Sequence, residues 1–105
     1  GRLDGMQVAA FLSLRARDIA QITSYTDRYV RKNPDAPSFQ GALKKVASIV
    51  RGLLELTGGD VPSVKIWLNA PHPALDDDAP LDLMRAGEID VVVDLVNHML
   101  SGAPA

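Results

Sequence analysis

The fold turns on residues 66–102, Ile66-Trp-Leu-Asn-Ala-Pro-His-Pro-Ala-Leu-Asp-Asp-Asp-Ala-Pro-Leu-Asp-Leu-Met-Arg-Ala-Gly-Glu-Ile-Asp-Val-Val-Val-Asp-Leu-Val-Asn-His-Met-Leu-Ser-Gly102. This stretch holds the only tryptophan and both histidines, yet no arrangement of its residues could run a reaction, which points to a surface for a protein partner. Pro71 and Pro73 push the residues before them out of helical geometry. The chain should therefore leave a helix after Trp67-Leu68 and cross a surface as an extended segment pinned by Leu75. Pro80 suits the first position of a short helix over 80–86, with Asp76, Asp77 and Asp78 beside its positive end and Gly87 closing it. From Glu88 to Leu100, Ile89, Val92, Val93, Val96 and Leu100 recur at spacings of three and four. Val91 and Leu95 widen that stripe, and an amphipathic helix ending at Gly102 is expected.

In order and spacing, Trp67, Leu68, Pro71, Leu75, Pro80, Leu83, Gly87, Val91 and Leu95 resemble the C-terminal toxin-binding domain of Xre/MbcA/ParS-type antitoxins. Two departures stand out: His72 takes the place of the usual Asn, and Asp77-Asp78 replaces a glycine-bearing turn. The resemblance implies an antitoxin whose partner is a RES-type or ADP-ribosyltransferase-like toxin that degrades NAD or modifies a target with it. It further implies toxin contacts from Trp67, Leu68, Pro71, His72, Leu75, Pro80, Leu83, Met84, Gly87, Asp90, Asp94, Leu100, Ser101 and Gly102. The terminal helix 88–100 and the tail 101–105 are expected to cover the NAD pocket, with Asp90 and Asp94 meeting basic groups that otherwise hold phosphates. Trp67 reads first as a core anchor of this module and second as an interface hot spot.

Charge divides the chain. Residues 1–52 carry nine Lys or Arg against four Asp, a net of +5, whereas residues 53–105 carry two against nine Asp or Glu, a net of −7. A basic half draws polyanions and an acidic half suits a basic protein partner; the plainer alternative is scatter on a solvated surface.

Within the basic half, Gly1–Gly5 has no periodic content and is expected to fray. Met6, Val8, Ala9, Phe11, Leu12 and Leu14 suggest a first helix, and residues 16–23 a second. Residues 27–32 begin a third, capped by Thr26. Asn33-Pro-Asp-Ala-Pro37 must be a loop. Ala20 at a close helix approach, Ser24 at the turn and Val30 pointing back to the core reproduce helix-turn-helix spacing, and Ala16–Arg31 resembles that segment of Xre-type regulators. Ser24 stands in for the favoured glycine and Asn33 for an apolar anchor. If the unit reads operator DNA, Tyr25, Thr26, Asp27, Arg28, Arg31 and Lys32 would face the major groove, with Arg28 the base reader and Arg15 and Arg17 on phosphates. The alternative is an ordinary solvated face on which the tyrosines merely pack.

Ser38 should start the longest helix, running to Thr57 on Phe39, Leu43, Val46, Ala47, Val50, Leu53 and Leu54, with Gly58-Gly59 stopping it. Gly52 inside that helix costs about 1 kcal/mol against Ala, which a close helix contact would explain. Ser63 is then expected to cap a short helix over 64–68.

Enzymatic chemistry is not expected. Adjacent Asp76-Asp77-Asp78 lacks calcium-loop spacing, and His72 and His98 have no Cys or Glu-x-x-His companion to make a zinc site. The serines show no nucleophile elbow, and Gly58-Gly59 follows a helix instead of preceding one. Neither a metal nor another cofactor is expected. With no long apolar run and no leader, the chain reads as a cytoplasmic protein without a membrane span.

These readings combine into an all-α chain divided as 1–37, a helix-turn-helix-like part, 38–59, a connecting helix, and 60–105, the toxin-binding domain. The expected function is a type II antitoxin that also autoregulates its operon as a homodimer. The rivals are a dimeric helix-turn-helix transcriptional regulator with no toxin partner and an adaptor without DNA affinity.

Overall fold

A computed structural model describes residues 1–102, so residues 103–105 of the expected covering tail lie outside the described residues. Helices α1 (Gly5–Leu12), α2 (Ala16–Thr23), α3 (Asp27–Lys32), α4 (Gln40–Leu56), α5 (Val61–Asn69), α6 (Pro80–Arg85) and α7 (Ile89–Leu100) account for the regular structure, with 3-10 turns at Pro37–Phe39 and Pro73–Leu75. There is no strand among the described residues, as the sequence led us to expect.

Local signals fix most boundaries. The Asp4 carboxylate accepts from the backbone N–H groups of Met6 and Gln7 at 2.8 and 3.0 Å, satisfying two orphan donors of α1. The N-terminal segment is consequently not the frayed leader expected. Leu3 and the Gln40 side chain exchange two hydrogen bonds of 2.8 Å each, and Gly5 donates to the Pro34 carbonyl. A Cβ at buried Gly5 would lie 3.1 Å from Ile19 Cγ2, so the close approach itself asks for glycine. Leu14 falls beyond α1, because Ser13 turns the chain with φ 58°.

α2 and α3 pack with Ala20 and Val30 buried between them, and Ser24 makes the turn at φ 64°. Thr26 Oγ1 accepts from Tyr29 N at 3.1 Å, the expected cap of α3. α4 begins at Gln40, two residues later than expected, since Pro37 first winds a 3-10 turn that sinks Phe39 into the core.

α4 is the spine. Its Leu43 joins Ala9, Ile19, Ala20, Val30, Ala36 and Phe39 in one apolar cluster. One to three turns on, Val46, Ile49 and Leu53 join a second cluster with Val64, Leu68, Leu81, Met84, Val92 and Val96. Gly52 is where α7 comes closest: an added Cβ would collide with Val96 Cγ1 and sit 3.1 Å from Leu100 Cδ1. Lys45 meets Asp90 at 2.8 Å. α7 therefore lies along α4 in the same direction.

Two further details differ from expectation. α5 starts at Val61, three residues early, because Pro62 is tolerated in a first turn and the cap is Asp60, which accepts from Ser63 N at 3.1 Å. On α7 the buried side chains are Ile89, Val92, Leu95 and Val96. Leu95, buried to 9% at the edge of the stripe, widens it as expected, whereas Val93 is only partly covered and Val91 turns outward, 45% exposed.

Candidate functional site

The C-terminal module is built as a shell over the second cluster. Leu68, Leu75, Pro80 and Met84, all expected to touch a partner, are buried, so they shape the module and are closed to a docked protein. Trp67 is half-buried against the cluster, and its ring meets His72 edge-on at 5.6 Å between centroids. His72 Nδ1 accepts from Ala74 N at 3.1 Å and so caps the 3-10 turn, the job that the Asn of the family pattern could do with its side-chain oxygen. The backbone of His72 also accepts from Leu75 and Asp77 and donates to the Asp78 carbonyl. Asp76 and Asp77 take φ of 54° and 65° in the turn where a glycine was expected. Leu83 is partly buried. Gly87, with φ 86°, is exposed after α6.

Exposed positions from the expected set are Pro71, Gly87, Asp90, Asp94, Leu100, Ser101 and Gly102. Asp90 and Asp94 lie one turn apart on the outer side of α7; Asp90 is held by Lys45, whereas Asp94 has no ion pair among the described residues. Leu100 remains 37% exposed while its side chain rests on Gly52. Two apolar residues of this half were missed as surface. Ile66 is 68% exposed, and Val91 flanks Asp90 and Asp94. The signal was available for Ile66: with Val64 and Leu68 turned inward, the residue midway between them must face outward on a helix.

Arg85 was not anticipated at all. Its guanidinium donates to Asp82 on its own helix and, at 2.9 Å, to Asp18 Oδ1 on α2. The other oxygen of Asp18 accepts from Arg15 N at 2.9 Å, so one carboxylate both starts α2 and ties it to α6. Burial works to lower the Arg85 pKa, but hydrogen bonds to Asp82 and Asp18 and their charges outweigh it, and the net shift is upward. Arg85 stays cationic wherever the protein is folded. No local pattern marks a pair 67 positions apart.

In the N-terminal half, Tyr25, Thr26, Asp27, Arg28, Arg31 and Lys32 are all exposed around α3, and Arg15 and Arg17 are exposed at the start of α2. Tyr25 and Tyr29 stack on one another at 4.8 Å. A separate apolar groove of about 320 Å³, lined by Leu3, Val8, Phe11, Val46 and Val50 with Arg2 and Arg51, opens between α1 and α4. None of the expected site residues line it. No helix among the described residues is long and apolar enough to cross a membrane.

Comparison with known proteins bears on the module just described. One solved structure, the crystal structure of the M. tuberculosis MbcT-MbcA toxin-antitoxin complex, contains a chain similar in fold, with a TM-score of 0.66 and 22% sequence identity over 95% of this chain and 93% of that one. No curated protein sequence matches the chain. Residues 53–102 match the family described as the antitoxin Xre/MbcA/ParS C-terminal toxin-binding domain. That segment runs from the end of α4 through α7 and contains Trp67, the proline-bounded turn and the Gly52-facing helix. By that match residues 53–102 form a toxin-binding domain of the Xre/MbcA/ParS antitoxin type, a binding module.

Proposed function

We propose that the chain neutralises a RES-type toxin, one that consumes NAD or transfers ADP-ribose, by laying the outer side of α7 and the residues after it over the toxin's active site. The observation that carries this reading is the face itself: Asp94 without an ion pair among the described residues, Asp90 one turn away and Val91 exposed between them, on a helix whose inner side is locked to α4. Carboxylates held on a rigid helix can occupy cationic positions that otherwise take phosphates, and they lose little side-chain entropy in doing so. The similar solved structure is itself a toxin-antitoxin complex, which supports a partner of that class. In this reading residues 60–105 face the toxin, 38–59 connect, and 1–37 form the helix-turn-helix part of a homodimer.

Autoregulation of an operator has a thinner physical basis. α3 spans six residues, about 9 Å, which is short for a recognition helix in the major groove.

The test is to purify the tagged chain from its own host and identify by mass spectrometry what co-elutes in stoichiometric amount. A small enzyme, silent in the complex and consuming NAD once this chain is stripped away, is the expected result. Asp94→Lys should then weaken neutralisation, and removal of residues after Val96 should abolish it while circular dichroism stays helical. Recovery of the chain alone, as a dimer carrying DNA, would instead make it a plain transcriptional regulator.

A further inference from the structure

Tyr25, Arg28, Tyr29 and Lys32 follow helical spacings of three and four, so they line one outer stripe of α3 and its lead-in. All four are exposed. The two tyrosine rings lie nearly parallel, 4.8 Å apart at 19°, and each meets the buried Phe39 ring edge-on, at 5.5 and 6.2 Å. Phe39 is 2% exposed whereas the tyrosines are 38% and 36% exposed. The phenylalanine is thus a floor, and the pair above it is a braced aromatic platform that faces water. Arg28 and Lys32 alternate with the rings, and Arg31 stands on the adjoining side. None of these three cations takes part in an ion pair among the described residues.

Stacked rings with interleaved, unpaired cations are poorly used by a closed duplex. A duplex offers base edges in its grooves, its base faces being occupied by one another, and α3 is short for the major groove. Unpaired bases have free faces, and aromatic side chains beside a basic track are the usual way proteins hold them. We infer that the Tyr25–Lys32 stripe binds single-stranded nucleic acid, with bases stacked on the tyrosine platform and phosphates held by Arg28, Lys32 and Arg31. The stripe lies on the basic half of the chain, away from α7, and the proposal does not depend on a toxin partner.

Fluorescence anisotropy of a labelled oligothymidylate of about fifteen nucleotides, titrated with the full chain, tests it. Binding should weaken steeply as salt is raised from about 50 to about 200 mM. A duplex of equal length should compete at least about tenfold less well than the single strand. Tyr29→Ala should weaken binding by roughly fivefold to a hundredfold, and Tyr29→Phe, which keeps the ring, should leave it within about twofold. Circular dichroism and Trp67 fluorescence report whether each variant stays folded. Should Tyr29→Ala fail to fold, the exposed pair Arg28→Glu and Lys32→Glu must still abolish binding. The proposal is overturned if no binding occurs at the lower salt, or if the duplex competes as well as the single strand. It is overturned equally if polyglutamate displaces the strand, which would make the stripe a general anion face, or if Tyr29→Ala and Tyr29→Phe bind alike.

Discussion

The outer sides of α3 and α7 are both exposed and charged, but their helices are fastened by different means, α3 on α2 and α1 and α7 on the α4 spine. α7 is held from beneath by a contact so close that only a glycine fits under it, at Gly52. α3, six residues long, depends on a Thr26 cap, a strained turn at Ser24 and Val30 buried against α2, and its tyrosines rest on one large ring, Phe39. The face proposed for the toxin is thus a product of long-range packing. The aromatic stripe rests on local chemistry over a single anchor. A surface of the first kind should resist changes at its rim, and a surface of the second kind should fail when its one anchor is removed.

The largest effect expected is at that anchor. Phe39→Ala removes a ring buried to 2% and should cost about 3–5 kcal/mol, whereas Trp67→Ala, truncating a half-buried ring at the edge of the larger cluster, should cost about 2 kcal/mol. Urea denaturation of the two variants gives the ranking. Equal losses would mean that the aromatic stripe is no more dependent on one residue than the C-terminal module is on Trp67.

Next comes the spine itself, where two glycines of one helix should respond with opposite signs. Gly52→Ala gains about 1 kcal/mol of helix propensity but must displace Val96 and crowd Leu100, so a net loss of about 1–2 kcal/mol is expected. At Gly41 a Cβ meets nothing within 4 Å, and Gly41→Ala should stabilise by up to about 1 kcal/mol. Thermal melts would show a fall of about 4–16 °C for the first and a rise for the second. A rise for both would mean that α7 can shift off α4, and with it that the proposed toxin-facing side is not rigid.

Polar contacts also cross between the two halves, among them Arg85–Asp18, Lys45–Asp90 and the bond that Lys65 Nζ donates to Ser13 Oγ. A double-mutant cycle with Asp18→Asn and Arg85→Met should give a coupling energy of about 1 kcal/mol, more than a fully exposed pair because both side chains are partly covered. The Lys45–Asp90 pair, largely in water, should give no more than about 0.5 kcal/mol.

What could be read in advance follows the same division. Residues 16–23 and 27–32, the Thr26 cap, the Gly52 close contact and the helix from 80 followed by Gly87 all follow from spacing, capping and backbone restriction, which act within a few residues. Features decided by distant partners were illegible. The N-terminal segment is ordered by Gln40, 37 positions away, and the role of Arg85 is set by Asp18. On α7, apolar residues at eight of the twelve positions from Ile89 to Leu100 leave several rotations nearly equivalent. Packing against α4 chose the one that buries Leu95 and exposes Val91. The candidate toxin face was legible as a charge and a helix, but which of its acids takes an ion pair was not, because Lys45 selects Asp90 across the fold.

The smallest effect tests the strained turn. Ser24 holds φ 64°, a region that costs an L-residue energy a glycine does not spend, and it is the position where the helix-turn-helix pattern favours glycine. Ser24→Gly should relieve that strain, but glycine also widens the conformational freedom of the unfolded chain, so the expected gain is only about 0.5 kcal/mol. A β-branched residue in the same place has no such offset, and Ser24→Val should lose about 1–3 kcal/mol. Comparison of the two by urea denaturation separates strain from side-chain chemistry. If Ser24→Gly destabilises, its side chain must be supplying an interaction that outweighs the turn strain. If it stabilises and the tyrosine stripe still binds a single strand, then the serine is tolerated at the turn and the binding surface is set by Phe39 beneath it.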